Sequence, residues 1–195
     1  MIAGIFLAAG SSARFGADKL FCKIRGKPLV YHGLLACTRS RLPRVYVVVA
    51  SQSPELVNVL AQLSSEQTEF TVVPNQHPER GQMSSVKVGL RSLDPKYEGA
   101  MVILGDMPYV TPEIIDALIS AFASSKGIIL PECDGQLYHP RVIPKRLFPD
   151  FLRLGDDKRG GEVFERFGND VVTVSIGDKS NYIDIDTAGD LESLP

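Results

Sequence analysis

The chain has 195 residues, of which 44% are apolar and 23% charged, proportions typical of a globular domain that buries its own core. The net charge of −2 excludes a global basic field that would attract nucleic acid or an anionic membrane surface. No apolar run approaches the ~20 residues of a membrane span, and the three cysteines lack disulfide or zinc spacing, so we expect a soluble cytoplasmic protein with reduced thiols.

Apolar runs and amphipathic segments alternate over the first 130 residues. The apolar runs predict strands, and segments with apolar residues at helical spacing lie between them. This alternation predicts an α/β fold, a mainly parallel sheet with helices on both faces, in which ligands bind at the carboxyl ends of the strands. The predicted strands are 2–7, 45–50, 70–73, 100–104 and 127–130, and the predicted helices start at Pro28, Ser53, Gly81 and Thr111.

The last third of the chain is less regular. Residues 137–143 are expected to be extended, 145–154 and 161–167 helical, and 171–176 a strand, before a short acidic helix. No internal repeat or linker divides the sequence. We therefore expect one domain over residues 1–195 with an irregular C-terminal third.

The first predicted strand ends in a loop rich in Gly, Ser and Ala that carries two cations, Arg14 and Lys19. Exposed backbone N–H groups and two positive charges suit a nucleoside triphosphate. The loop lacks the Gly-Lys-Ser/Thr ending of a Walker loop, and no G-x-G-x-x-G pattern is present, which argues against an ATPase or a dinucleotide-dependent oxidoreductase. A plain strand-to-helix connection with solvated cations is the alternative.

Two carboxylates stand where they could hold a metal ion. Asp106 directly follows a predicted buried strand, so it should lie on the same rim of the sheet as the loop. Asp186, in Asp184-Ile185-Asp186-Thr187, could be a second ligand, because Mg²⁺ usually takes one or two carboxylates together with substrate phosphates. The alternatives are a helix-capping or turn aspartate for Asp106 and a helix N-cap for Asp186.

Ser84 and Ser85 follow Gly81 at the start of a predicted helix. Their hydroxyls and the unpaired N–H groups of the first turn could bind a base edge or a ribose, although a simple N-cap is the alternative. His77 and His139 each precede a proline, and we expect them to be exposed or to pack, since no further imidazole or cysteine stands at ligand spacing.

The run 155–161 mixes acids, bases and glycines. It is either a lid that approaches an anionic second substrate or a solvated charged turn, and the sequence leaves both open.

Five motifs in order along nearly the whole chain resemble the nucleotidyltransferases of molybdenum cofactor biosynthesis. A single motif would be weak evidence, whereas five in this order are specific to the family. They are Leu7-Ala8-Ala9-Gly10-Ser11-Ser12-Ala13-Arg14-Phe15-Gly16 with Lys19-Leu20, Gly81-Gln82-Met83-Ser84-Ser85-Val86, Gly105-Asp106-Met107-Pro108, Tyr138-His139-Pro140 and Asp184-Ile185-Asp186-Thr187.

The resemblance implies a Rossmann-like α/β nucleotidyltransferase that joins a nucleoside monophosphate to the terminal phosphate of molybdopterin and releases pyrophosphate. Ala8-Ala9-Gly10 is similar to the cytidylyl-transferring branch, because guanylyl-transferring relatives more often have Ala-Gly-Gly there. CTP is therefore the expected donor. The implied partners are the nucleoside triphosphate, the molybdopterin-like acceptor, and a molybdoenzyme or its chaperone, with neither nucleic acid nor membrane.

The same resemblance implies a role for each matching residue. Arg14 and Lys19 would contact the triphosphate and act with Asp106 in catalysis, and Asp106 and Asp186 would hold Mg²⁺. The implied nucleotide-binding residues are Leu7, Ala8, Ala9, Gly10, Ser84 and Ser85.

The chain departs from the relatives' pattern in two places, both expected to face the acceptor. Tyr138-His139-Pro140 stands where relatives often have Gly-His-Pro, and residues 155–161 carry extra charge where relatives have a compact Gly-Asp-x-Gly-Ala-Arg. The alternatives are a guanylyltransferase using GTP, a sugar-phosphate nucleotidyltransferase and a non-catalytic nucleotide-binding module.

Overall fold

The fold was obtained as a computed structural model that describes residues 1–10, 19–50, 53–64, 68–156, 164, 166–185 and 189–190. Arg14 and Asp186 therefore lie outside the described residues, as do most of the run 155–161 and most of the predicted helix 161–167. The short acidic helix expected at the end of the chain is described only at residues 189–190.

A mainly parallel sheet forms the centre of the described molecule. Its main strands are β1 (Ile2–Ala8), β4 (Arg44–Val49), β5 (Glu69–Pro74), β6 (Gly99–Leu104), β7 (Ile128–Cys133), β9 (Arg141–Pro144) and β10 (Val171–Ser175). They lie in the order β10-β7-β9-β6-β1-β4-β5. The pairs β6–β1, β1–β4, β4–β5 and β7–β10 are parallel, which confirms the predicted sheet.

Three short strands complete the described β-structure. β2 (Lys23–Ile24) and β3 (Lys27–Pro28) form a small antiparallel pair, and β8 (Gln136–Leu137) pairs with β7. Pro28 was expected to be the first residue of the first helix. It lies in β3 instead and is the N-cap residue of that helix, which begins at Leu29.

Helices cover both faces of the sheet, as predicted. The helices are α1 (Leu29–Thr38), α2 (Pro54–Leu63), α3 (Gln82–Ser92), α4 (Pro112–Ser125) and α5 (Phe148–Arg153). α1, α2 and α4 pack on the face that presents Phe6, Val47 and Ile103, while α3 and α5 pack on the opposite face with Ile5 and Val102. Alternate residues of each strand point to opposite faces, so a strand buried on both sides requires an apolar run.

Two helix starts form through the side-chain caps that their sequences predict. Ser53 Oγ accepts a hydrogen bond from Leu56 N at 3.2 Å, and Thr111 Oγ1 accepts one from Ile114 N at 3.4 Å. In both helices a proline is the first residue, where its missing N–H costs nothing.

The C-terminal third departs from the parallel pattern through β9. The stretch 137–143, expected to be continuously extended, ends one short strand and begins another, with a cis peptide bond between His139 and Pro140. β9 then runs antiparallel to β6, with Arg141 opposite Val102, and antiparallel to β7. None of the helices in the described ranges has the length and apolar character needed to cross a bilayer.

Candidate functional site

A cleft of about 250 Å³ opens at the carboxyl ends of the central strands. β1 and β6 pair so that Leu7 lies beside Leu104, which brings the residues after both strands to one rim. The cleft therefore unites residues from three of the sequence motifs. Its lining consists of Leu7, Ala9, Gly10, Pro78, Gly81, Gln82, Ser85, Leu104 and Asp106.

Ala8 and Ala9 point to different cavities, because adjacent residues at a strand end face opposite sides. Ala9 lines the main cleft and is 4% exposed. Ala8 lines a smaller cavity of about 60 Å³ next to α1 and α2, and Gly10 borders both. Of the residues predicted to bind nucleotide, Leu7, Ala9, Gly10 and Ser85 thus meet in one cleft, and Ala8 does not.

Gly105 sets the position of Asp106 at this rim. The Gly105 N–H donates to the Leu7 carbonyl at 3.0 Å, and a Cβ at position 105 would lie only 2.7 Å from that oxygen. Only glycine allows so close an approach of two backbones. The chain turns directly after this contact, so the Asp106 side chain, 26% exposed, lines the cleft.

Asp106 and Lys19 form an ion pair, with Lys19 Nζ 3.0 Å from Asp106 Oδ2. The Lys19 side chain is only 15% exposed, so the pair is partly shielded from water. The structure thus brings together the residue predicted to bind phosphate and the residue predicted to bind metal. The two act as one charged unit beside the cleft.

The segment that leads to Asp186 also reaches Asp106. Ile185 N donates to the Asp106 carbonyl at 3.1 Å, and Ile185 itself is fully buried. Upstream, Asn181 Nδ2 donates to the Tyr109 carbonyl at 3.0 Å, and the Tyr182 ring stacks on Tyr138 with a centroid distance of 4.5 Å. The motifs around residues 106, 138 and 185 are therefore neighbours in the fold.

Asn75, which the sequence analysis missed, organises the first turn of α3. Its Nδ2 donates to Ser84 Oγ and to Ser85 Oγ, each at 3.0 Å, and its Oδ1 accepts from His77 N at 3.0 Å. Asn75 is 2% exposed. Asn75 directly follows β5, at the rim that holds the other site residues, and this position in the sequence could have identified it as a site residue.

The two serines differ in what they face. Ser85 lines the main cleft, whereas Ser84 lines a second cleft of about 340 Å³ and donates its hydroxyl proton to the His77 carbonyl at 3.1 Å. Gly81, and neither serine, is the N-cap residue of α3. The alternative that the serines are simple N-caps is therefore wrong, and the Ser84 hydroxyl is already used within the protein.

The second cleft lies on the other side of the first turn of α3 and is strongly polar. Arg80, Lys87 and Arg91 contribute cations to its lining, and Asp156 contributes an acid. Lys87 is 8% exposed and forms an ion pair with Asp156, with Nζ 2.6 Å from Oδ1. Lys87 was not among the predicted site residues, although its place between Val86 and Val88 in α3 is a sequence signal of a buried ion pair.

His139 is partly buried, and its imidazole is uncharged at neutral pH. Burial is the main cause that lowers the pKa of His139 from its ordinary 6.5 to about 3, and the positive charge of Arg141 is the second. Arg141 Nε donates to the Tyr138 carbonyl at 2.9 Å, and its guanidinium lies over the Phe164 ring, 5.3 Å from the centroid. His77, in contrast, is exposed and contacts Glu79.

Sequence comparison relates the chain to known enzymes. Residues 4–171 match the family model described as the MobA-like NTP transferase domain. A probable molybdenum cofactor guanylyltransferase of Natranaerobius thermophilus is 25% identical over 205 residues, covering 98% of this chain and 93% of that protein. A 2-C-methyl-D-erythritol 4-phosphate cytidylyltransferase of Streptomyces coelicolor is 31% identical over 134 residues, covering 66% of this chain and 48% of that protein.

The fold of the chain matches solved structures over almost its full length. The crystal structure of Rv0371c from Mycobacterium tuberculosis H37Rv matches with a TM-score of 0.78 at 25% identity, covering 98% of this chain and 95% of that one. A complex of Rv0371c with manganese matches with a TM-score of 0.73 at 22% identity, covering 99% of both chains.

Proposed function

The chain belongs to the MobA-like NTP transferase family, and from that premise we propose that it transfers CMP from CTP to the terminal phosphate of molybdopterin and releases pyrophosphate. The observation that carries the proposal is the cleft in which Ala9, Gly10, Ser85 and Asp106 converge, with Lys19 paired to Asp106. We further propose that the whole chain acts as one domain.

The proposed reaction is an in-line displacement at the α-phosphorus of the nucleotide. An oxygen of the acceptor phosphate forms the new P–O bond, and the bond between the α-phosphorus and its bridging oxygen to the β-phosphorus breaks, so that pyrophosphate leaves. Such a reaction needs positioning and electrostatic stabilisation more than a covalent protein nucleophile. Lys19 and Arg14 would neutralise charge on the departing pyrophosphate.

Asp106 and Asp186 would hold a divalent cation, and we propose Mg²⁺. The chemistry of Asp106 fits, because a partly exposed carboxylate facing a cleft supplies the hard oxygen ligands that this ion prefers. The hydrogen bond from Ile185 N to the Asp106 carbonyl supports the pairing, since it brings the chain beside Asp106 one residue before Asp186. When bound, the cation would neutralise negative charge on the phosphates.

The preference for CTP depends on Ala9. This residue is buried against the main cleft, where guanylyl-transferring relatives more often have glycine. We propose that its methyl group would take space that a larger base needs. A second candidate is guanylyl transfer from GTP. It is supported by the similarity over almost the full length to the probable guanylyltransferase of N. thermophilus.

The acceptor also has a second candidate, a small phosphorylated sugar alcohol. The support is the 31% identity to the S. coelicolor cytidylyltransferase, whose name includes such a phosphate, and the departures from the family pattern at Tyr138 and residues 155–161.

Thermal-shift titration with CTP, GTP, UTP and ATP, each with Mg²⁺, tests the donor. A ligand that binds only the folded state stabilises it by about 2.7 kcal/mol at a hundred times its Kd. We expect CTP to raise the melting temperature at lower concentration than the other three nucleotides. Stabilisation by GTP without stabilisation by CTP would overturn the donor assignment and favour the guanylyltransferase.

A further inference from the structure

Lys87 is buried in the middle of α3, outside the main cleft, and no role for it follows from the proposed reaction. Its ammonium group donates to Asp156 Oδ1 at 2.6 Å and to the Leu154 carbonyl. The Lys87 side chain is 10% exposed and the Asp156 side chain 30%. A buried lysine loses its hydration, so hydrogen-bond or charged partners must compensate for that loss. Both partners of Lys87 belong to one short segment, residues 154–156.

The same segment touches the wall of the nucleotide cleft. A Cβ built at Gly81 would lie 3.4 Å from the Asp156 carbonyl oxygen, so the Asp156 backbone lies directly against Gly81. Gly81 lines the cleft and precedes α3 with φ of 96°, a conformation that favours glycine. Asp156 is therefore fixed through its side chain by Lys87 while its backbone packs on the cleft wall.

Nearby charges strengthen the pair. Arg80 Nη1 is 4.0 Å from Asp156 Oδ2, and Arg91 lines the same second cleft. The hydrogen bond and charge of Lys87, and the charges of Arg80 and Arg91, lower the pKa of Asp156, so its carboxylate stays ionised at neutral pH.

We propose that Lys87 is a positioning residue for nucleotide binding: its bonds to Asp156 and Leu154 hold the segment 154–156 against Gly81 and thereby fix the shape of the cleft beside α3. The inference depends on the proposed function in one respect, that the ligand of this cleft is a nucleoside triphosphate. Small displacements of a binding wall cost large factors in affinity and rate, so the loss of the bond should be measurable at the nucleotide.

The test compares Lys87→Met, Asp156→Asn and the double variant with the wild type. Lys87→Met keeps the length of the side chain and removes its charge, and Asp156→Asn keeps its shape. We expect each single change to raise the Kd of the preferred nucleotide by about tenfold, measured by isothermal titration calorimetry. The Kd of the double variant should be no higher than that of the single variant with the higher Kd, because both changes break the same Lys87–Asp156 interaction.

Two further variants separate positioning from a general loss of stability. Lys87→Arg should keep nucleotide affinity within about threefold of that of the wild type, because its guanidinium keeps the positive charge and N–H donors for Asp156 and the Leu154 carbonyl. Lys96→Met is the matched control, since it breaks an exposed ion pair with Asp94 after the far end of α3 and should leave the Kd unchanged.

Amide hydrogen exchange gives a readout that needs no nucleotide. Exchange at residues 81–84 should be faster in Lys87→Met and in Asp156→Asn than in the wild type. Unchanged exchange there, an unchanged Kd in a folded Lys87→Met protein, or additive effects in the double variant would each overturn the inference. A wild-type protein that binds no nucleoside triphosphate would instead contradict the proposed function, so the two failures are distinguishable. If Lys87→Met does not fold, the Kd and the amide exchange of Asp156→Asn still test the inference.

Discussion

Lys19 Nζ lies 3.0 Å from Asp106 Oδ2, although the two residues are 87 positions apart in the chain. Lys19 follows β1 and Asp106 follows β6, and the parallel pairing of these strands brings them to one rim. In the proposed reaction Lys19 would contact the triphosphate and Asp106 would help to hold the divalent cation, so the ion pair presents both groups at the rim where the substrates would bind. The ion pair thus holds both side chains beside the cleft.

Asp106→Asn should abolish most of the activity while keeping the shape of the side chain. Loss of one preorganised electrostatic contact lowers kcat by on the order of a hundredfold, and the release of pyrophosphate measures it. Asp170→Asn is the matched control, since Asp170 forms an exposed ion pair with Arg146 outside the cleft and should have no effect. A folded Asp106→Asn protein with turnover near wild type would remove Asp106 from the catalytic site.

Ala9→Gly should shift donor preference from CTP towards GTP. Removing a methyl group from the cleft wall gives a larger base more room, and one methyl or methylene in a pocket changes selectivity by roughly tenfold or more. The measurement is the ratio of kcat/KM for CTP to that for GTP. Ala8→Gly is the control, because Ala8 faces the smaller cavity and should leave the ratio unchanged. An equal shift in both variants would show that Ala9 does not select the base.

Asn75→Ala should destabilise the protein by about 1–3 kcal/mol, because buried polar groups lose their partners. The two serine hydroxyls lose the amide donor, and His77 N loses its acceptor. Urea unfolding measures the change, with Asn58→Ala on the exposed face of α2 as control. A difference below about 0.5 kcal/mol between the two variants would contradict the role given to Asn75.

His139 should make the protein less stable in mild acid. Its pKa is about 3 in the folded state and 6.5 when unperturbed, so the unfolded chain binds the proton more strongly between these values. The contribution of His139 to the free energy of unfolding should therefore be fully present above pH 6.5. It should fall as the pH drops from 6.5 towards 3, by at most about 1.4 kcal/mol per pH unit.

His139→Gln isolates that contribution. Glutamine does not titrate, so its unfolding free energy should depend less on pH between 6.5 and 3 than that of the wild type. Urea unfolding at a series of pH values gives both curves. Parallel curves for the two proteins would show that His139 takes up protons equally in the folded and unfolded states.

The sheet and the rim of the site could be predicted because both depend on local patterns. Apolar runs bounded by turn residues predicted β1, β4, β5 and β6, and parallel pairing places everything after such strands on one edge. The position of Asp106 follows from this rule alone. The family match confirms the resemblance seen in the five motifs.

Other features depend on contacts between residues far apart in sequence, which no local pattern encodes. The insertion of β9 as an antiparallel strand depends on pairing with β6 and β7, and its four residues carry no signal of direction. The bonds of Asn75 to the serines and of Lys87 to Asp156 likewise became visible only in the fold. The proposed roles of Arg14 and Asp186 come from the motifs that contain them, because both residues lie outside the part of the chain that the structure describes.

A pyrophosphate-release assay that crosses CTP, GTP, UTP and ATP with molybdopterin and a panel of sugar phosphates tests the central claim most directly. The account predicts release that requires a divalent cation, is fastest with CTP and molybdopterin, and is accompanied by a cytidylylated pterin product in equal amount. Nucleotide binding without pyrophosphate release for any acceptor would contradict it and identify a non-catalytic nucleotide-binding module.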